Sequence, residues 1–222
     1  MRAALLSLAE EPYNLQSVFK AVLPMKQDSA SPEFWENLYR SDVTPWDAGG
    51  VPLRLAHFLA EEAAPLKVLI PACGSGYEIQ AFAEAGHDVT AIDFSWAAVE
   101  RARTRLGQQY ERIKFGDFFS ADLPGGAFDL VYERTFLCAL PRRLWPDYGP
   151  RVADLLRPGG RLAGFFFFDD KERGPPYGLN PGELAPLLNP YFELKLDEPI
   201  AADQSVAVLA GKERWQVWGK KS

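Results

Sequence analysis

A chain of 222 residues, 47% hydrophobic and 24% charged, has an ordinary globular composition and is long enough for one α/β domain but short for two. Its net charge of −6 argues against a broad phosphate-binding surface, so neither DNA nor RNA is an expected partner. Two cysteines, Cys73 and Cys138, and two histidines, His57 and His87, fit no zinc spacing and no disulfide framework; no metal and a reducing, cytoplasmic setting are expected.

Met1 to Ala9 is faintly like a signal peptide, but Glu10 and Glu11 end the apolar stretch and no convincing small-residue cleavage site follows. Residues 1–24 read as an extra N-terminal helix or a mis-assigned start, with Met25 as the alternative initiator. Residues 1–30 are therefore expected to be an extension or linker ahead of a single domain at 31–222. The longest apolar run, Leu162 to Phe168, is strand-sized, so no membrane span is expected.

Within the domain, Ser31 and Pro32 open a helix through Arg40 as N-cap and first helical residue. Ser41 to Gly50 is a loop, and Val51 to Glu62 is an amphipathic helix. Lys67 to Ile70 is a short buried strand running into Pro71-Ala72-Cys73-Gly74-Ser75-Gly76. A helix from Tyr77 to Ala85 follows, then a strand from Asp88 to Ile92 ending at Asp93. Ser95 to Leu106 is helical, Arg112 to Phe115 a third strand, and Phe128 to Tyr132 a fourth. Pro141 to Leu156 is helical, Pro158-Gly159-Gly160 a turn, and Arg161 to Phe168 a fifth strand. A helix over Pro181 to Leu188 precedes late strands at Tyr191–Leu196 and Trp215–Trp218. This alternation predicts a single Rossmann-like, doubly wound, mainly parallel α/β sheet of seven strands, with an antiparallel hairpin at one edge.

The first strand, the glycine turn and its helix can hold an anion or a ribose. Gly74 and Gly76 let the backbone approach a ligand, and the helix start offers free N–H groups. A ligand-free tight turn would look the same. Asp93, 19 residues after Gly74 at the end of the second strand, can reach ribose hydroxyls, or it can serve the following helix as a cap. That spacing suits both dinucleotide and S-adenosylmethionine enzymes. Against the first stands Ile79, where the third glycine of a dinucleotide fingerprint belongs. For the second stands Gly116-Asp117-Phe118 after the third strand. There Asp117 can accept from an adenine amine and Phe118 can stack, unless Asp117 merely closes an Asx turn.

Ile70 to Gly76, Ala91-Ile92-Asp93-Phe94-Ser95 and Gly116-Asp117-Phe118 together resemble the thiopurine methyltransferase family, which includes plant-type halide and thiol methyltransferases. The more specific likenesses are Trp35-Glu36-Asn37-Leu38-Tyr39 with Thr44-Pro45-Trp46-Asp47, Phe136 to Leu140, and Gly174-Pro175-Pro176-Tyr177. The resemblance covers about Pro32 to Trp215. It implies a class I methyltransferase using S-adenosyl-L-methionine, with an aromatic lid in residues 31–50 formed by Trp35, Tyr39 and Trp46. Aromatic faces suit a sulfonium cation, although plain core packing would also use them. The cofactor-binding candidates are these three with Ala72, Gly74, Gly76, Asp93, Phe94, Asp117, Phe118 and Arg134.

Methyl transfer is an in-line displacement that alignment and desolvation can drive. A thiol or another soft nucleophile (halide, thiocyanate or a chalcogen oxyanion) needs little or no base, and neither histidine is well placed to act as one. Glu133 and Arg134 end the fourth strand, where open α/β sheets face their ligand crevice, and are the catalytic candidates. By resemblance, Arg134 sits where thiopurine-type members carry an arginine after an acidic residue. It could favour a thiolate, or it could simply pair with a carboxylate. Phe167, by resemblance an active-site aromatic, and Tyr177, in a loop able to close over the substrate, are the substrate-binding candidates. Pro175-Pro176-Tyr177 follows the fifth strand rather than the fourth and lacks the preceding amide of amino-methylases, which excludes that reading. A small-molecule O- or N-methyltransferase using Glu133 as base is the alternative. A nicotinamide-dependent reductase and a non-catalytic S-adenosylmethionine sensor are remoter ones. A monomer or weak homodimer acting on a small molecule is the expected state.

Overall fold

The computed structural model describes residues 28–221. Most of the extension expected over 1–30, with the alternative start at Met25, lies outside the described residues. The first element is the helix Pro32–Arg40 (α1), begun by a proline that needs no N–H partner there and closed by a basic residue. Ser31 holds the N-cap position, but its side chain caps nothing, because its hydroxyl donates to the nearby Glu33 carboxylate. Helix Leu53–Glu61 (α2) follows. Strands Lys67–Pro71 (β1), Asp88–Asp93 (β2) and Ile113–Phe115 (β3) then alternate with helices Tyr77–Glu84 (α3) and Trp96–Leu106 (α4). Strand Phe128–Arg134 (β4), helix Trp145–Leu155 (α5) and strand Leu156–Phe167 (β5) come next. Helix Pro181–Leu188 (α6) leads to strands Phe192–Pro199 (β6) and Glu213–Lys220 (β7).

The seven strands form one sheet in the order β3-β2-β1-β4-β5-β7-β6. β1 to β5 are mutually parallel, and β7 runs antiparallel to both β5 and β6, which makes the expected edge hairpin. Chain direction across the sheet reverses between β1 and β4, where Val68 pairs with Leu130. The C-terminal ends of these two strands therefore open the crevice in which such sheets bind ligands.

Both faces of the central strands are buried, as a parallel sheet requires. One core packs Leu69, Val131, Leu162 and Phe166 against Trp145, Tyr148 and Val152 of α5 and Leu184 and Leu188 of α6. The other packs Val68, Ile70, Leu130 and Tyr132 against Leu55 and Phe58 of α2, Ile79 and Phe82 of α3, and Val99 and Ala102 of α4. Ile79, where a dinucleotide fingerprint would have glycine, is a fully buried core residue.

The turn expected at Pro158-Gly159-Gly160 is instead a bulge inside a longer strand. Between the pairs Phe128–Leu156 and Leu130–Arg161, β5 advances five residues while β4 advances two. Gly159, at φ +74°, supplies the left-handed step that lets the extra residues loop out. The helix expected from Pro141 begins as a 3-10 turn over Arg142–Leu144 before α5 proper.

Candidate active site

Above the crevice lies an open cavity of about 760 Å³. Its floor is Ala72, Asp93 and Phe94 from the ends of β1 and β2, and its roof is Trp35, Tyr39 and Trp46 from α1 and the following loop. Thr135, Phe136 and Cys138 form one side after β4, and Pro175, Pro176, Val208 and Leu209 close the far end.

Asp93 is buried and shares its carboxylate between the Gly74 N–H at 3.0 Å and the Ser95 N–H at 2.9 Å. Burial pushes its pKa up to about 6, against the lowering effect of these donors. It thus ties the glycine turn to the start of α4, whose cap is Ser95, with Oγ accepting from Ala98 N–H at 3.2 Å. The turn itself needs its glycines. Gly74 stands at φ +52°, and a Cβ there would sit 2.6 Å from the Tyr39 hydroxyl oxygen. Gly76 stands at φ +78°, and its Cβ would meet the Ala102 Cβ at 2.8 Å. Gly74 makes room for the roof, and Gly76 for helix packing.

The roof is an aromatic stack. Trp35 and Trp46 meet edge-on at 5.3 Å, Tyr39 and Trp46 at 5.9 Å, and Trp46 Nε1 donates to the Tyr39 hydroxyl at 3.4 Å. Trp35 Nε1 donates to the Ser29 carbonyl at 2.8 Å. Three polar ties hold this layer down. Glu36 accepts from Ala97 N–H at 2.8 Å and Ser95 Oγ at 3.0 Å, placing a carboxylate at the positive end of α4. Arg101 donates to the Tyr39 carbonyl and to Asp42, and Ser75 Oγ donates to Asp47. Neither Glu36 nor Asp47 has a local sequence signal for these roles, because their partners lie far along the chain.

Several expected site residues face elsewhere. Glu133 is buried and receives the Phe136 N–H at 2.7 Å, the Leu137 N–H at 3.0 Å and the Tyr148 hydroxyl at 2.6 Å. Its carboxylate holds the turn after β4 and lines no part of the cavity; burial pushes its pKa up to about 7. Asp117 is exposed and accepts from Phe119 N–H and Ser120 Oγ, the Asx turn that was its alternative role. Phe118 is buried against Phe119 and Phe136. Phe167 packs behind the wall with Cys138 and Leu209 rather than on it. Tyr177 donates its backbone N–H to the Cys138 carbonyl at 2.7 Å, so the prolines before it form the wall. Arg134 ion-pairs with buried Glu213 of β7 and lies over the Phe165 ring at 4.4 Å. It lines a second cavity that shares Tyr39, Trp46, Ala72 and Thr135 with the first.

Among the described residues, no base faces the apolar end of the first cavity. His87 is buried with Nδ1 accepting from Leu66 N–H, and His57 lies on α2. Burial pushes the Cys138 thiol and the Tyr39 hydroxyl well above their usual values. Among the described residues, no group of His, Cys, Asp or Glu is arranged to hold a metal ion, and no helix is long and apolar enough to cross a membrane.

A doubly wound sheet with an antiparallel edge hairpin, an acidic residue ending β2 beside a glycine turn, and an aromatic roof over an apolar cavity define an S-adenosylmethionine-dependent methyltransferase of class I. The family described as Thiopurine S-methyltransferase matches residues 30–221, and the chain belongs to that family. It is 33% identical over 196 residues to a probable thiol methyltransferase 2 of Arabidopsis thaliana, covering 85% of each chain. It is 32% identical over 176 residues to a thiopurine S-methyltransferase of Vibrio cholerae, covering 70% of this chain and 80% of that one. In fold, it matches the Burkholderia thailandensis 1,6-didemethyltoxoflavin-N1-methyltransferase, solved with S-adenosylhomocysteine, at a TM-score of 0.69 and 22% identity, covering 96% and 93% of the two chains.

Proposed function

We propose that this chain methylates a small thiol or a related soft nucleophile, with residues 31–222 acting as one domain and residues 31–50 as its lid. The observation that carries the reading is the cavity's division. Its one end offers the buried Asp93 carboxylate, which holds the glycine turn, and its other end offers apolar walls without a general base. An alcohol or amine acceptor ordinarily needs a positioned base, whereas a thiol that ionises in water does not. The names of the thiol and thiopurine methyltransferase relatives support the same class of acceptor.

The residues present fit the cofactor. Asp93 suits the ribose hydroxyls and Phe94 the adenine, both lining the cavity beside the glycine turn. When bound, S-adenosylmethionine supplies an electrophilic methyl group on a sulfonium. Trp35, Tyr39 and Trp46 present aromatic faces and edges that suit a cation without competing as nucleophiles. Cys138 and Tyr39 hold their protons and so stay inert beside that methyl. Pro175, Pro176, Val208 and Leu209 exclude water from the nucleophile's approach. The acceptor sulfur forms the new bond to the methyl carbon as the old sulfur–methyl bond breaks, and the thiol proton goes to solvent. A cytoplasmic monomer or weak dimer is part of this proposal, supported by two buried free cysteines.

The test is methyl-labelled S-adenosylmethionine offered with small thiols, hydrosulfide, thiopurine, iodide, thiocyanate and selenite, with a catechol and an amine as controls. Label in methyl thioethers or volatile methyl products is expected. Label on the catechol or amine alone would overturn the choice of acceptor.

A further inference from the structure

The far wall of the first cavity comes from the excursion between β6 and β7, where Val208 and Leu209 face the space. Its apolar residues Val206, Val208 and Leu209 pack on Cys138 and Phe167. The excursion is pinned at its base. Ile200 N–H donates to the Glu213 carbonyl at 3.0 Å, Phe168 N–H donates to the Lys212 carbonyl at 2.7 Å, and Lys212 Nζ reaches Asp169 at 2.7 Å. Further out its backbone bonds are local turns, from Gln204 N–H to Ala201, Ser205 N–H to Ala202 and Leu209 N–H to Val206. Among the described residues, the only side-chain hydrogen bond from positions 201–211 is made by Ser205, whose hydroxyl donates to the Glu213 carboxylate.

Glu213 is buried at the start of β7, and its two oxygens have different donors. Oε1 takes the Arg134 guanidinium and Oε2 takes Ser205. Arg134 is itself held over the Phe165 ring, so the carboxylate is fixed from one side and fixes Ser205 on the other. A hydrogen bond to a charged group is stronger than one between neutral groups, and here it seats a segment that otherwise has only local turns. We propose that Glu213 and Ser205 are positioning residues for the methyl acceptor. They hold residues 200–212 down so that Val208 and Leu209 close on any acceptor large enough to reach them. This assignment rests on the acceptor reading above. It makes the tie matter for bulky thiols and not for the cofactor or for the smallest nucleophiles.

Steady-state methyl transfer by the full chain, with thiophenol and hydrosulfide as the two acceptors, tests it. Hydrosulfide is too small to reach the far wall from the methyl group, and thiophenol is not. Ser205→Ala lets the segment lift, and an acceptor that needs it seated then binds in proportion to the seated fraction. The thiophenol KM is expected to rise by about three- to tenfold. Its kcat, the hydrosulfide KM and the affinity for S-adenosylhomocysteine should each stay within about twofold, because none of them uses the lifted wall. Ser205→Thr keeps the hydroxyl and should keep the thiophenol KM near that of the parent. A purely structural role would move both acceptors and the cofactor product together. An equal rise for both thiols, a parallel loss of S-adenosylhomocysteine affinity, or an unchanged thiophenol KM would overturn the assignment. If the parent methylated neither thiol, the acceptor reading itself would fail, and the assignment with it.

Discussion

Replacing Glu133 with glutamine separates a structural carboxylate from a catalytic one. The glutamine keeps an oxygen for the Phe136 and Leu137 amides and turns its own amide toward Tyr148, so the turn after β4 stays held. What changes is the charge. Burial lifts the Glu133 carboxyl from an ordinary 4.5 to about 7, so the folded protein holds this proton more tightly than the unfolded chain does. Its contribution is full below about pH 4.5 and is lost as pH rises through 7. At about 1.4 kcal/mol per pH unit, the difference amounts to about 3 kcal/mol. For a domain of this size that corresponds to about 6–12 °C in Tm. Melting curves at pH 5 and pH 8 should therefore show a steeper loss for the parent than for Glu133→Gln, by about that amount. At pH 5 the variant should match the parent to within about 1 kcal/mol, because the parent's carboxyl is then protonated and, like the glutamine amide, turns a donor toward Tyr148. Parallel pH profiles would refute the account of the charge. Loss of methyl transfer at pH 8 with S-adenosylhomocysteine affinity intact would refute the structural role, and would make Glu133 a base.

Three further substitutions and one double variant probe the turn and the ion pair. Gly74→Ala should cut S-adenosylhomocysteine affinity by about tenfold and also lower stability, because alanine is strained at φ +52° and its Cβ displaces the Tyr39 hydroxyl, whereas Gly76→Ala should mainly lower stability, by about 1–3 kcal/mol, because its Cβ meets α4; titration and melting of the pair would separate the effects. Arg134→Ala strands the Glu213 carboxylate in the interior and should cost about 3–5 kcal/mol in denaturant unfolding, with Arg134→Met combined with Glu213→Gln recovering part of it.

Much of the fold could be read directly, since strand and helix periods alternate cleanly and the pairing of Gly74 with Asp93 follows from their places at adjacent strand ends. The roof aromatics Trp35, Tyr39 and Trp46 do line the cavity. Misplaced were residues whose direction depends on strand alternation. Glu133 and Arg134 are consecutive on β4, so their side chains leave opposite faces of the sheet, Glu133 toward α5 and Arg134 toward the face of Tyr132. Taking both as neighbours of one methyl group ignored that period. Asp117 was drawn into its own turn by Phe119 and Ser120, a local competition that short polar side chains often win. Pro158 to Gly160 carried every mark of a turn, yet pairing on both sides kept the strand continuous through a bulge. Glu36 and Glu213 gave no warning, because each acts on groups that only the tertiary fold brings near.

The ties that hold the roof set an order of assembly. Glu36 reaches a serine 59 residues further on, and Tyr39 an arginine 62 residues further on. During synthesis, α1 therefore emerges before any group that can fasten it, and it must wait until β1, β2 and α4 exist. Closing so long a loop costs only slightly more than closing a short one. The roof can thus be the last piece to settle and the first to lift, and lifting it breaks no strand pairing in the sheet. A ligand can enter beneath it while the seven-stranded floor stays intact.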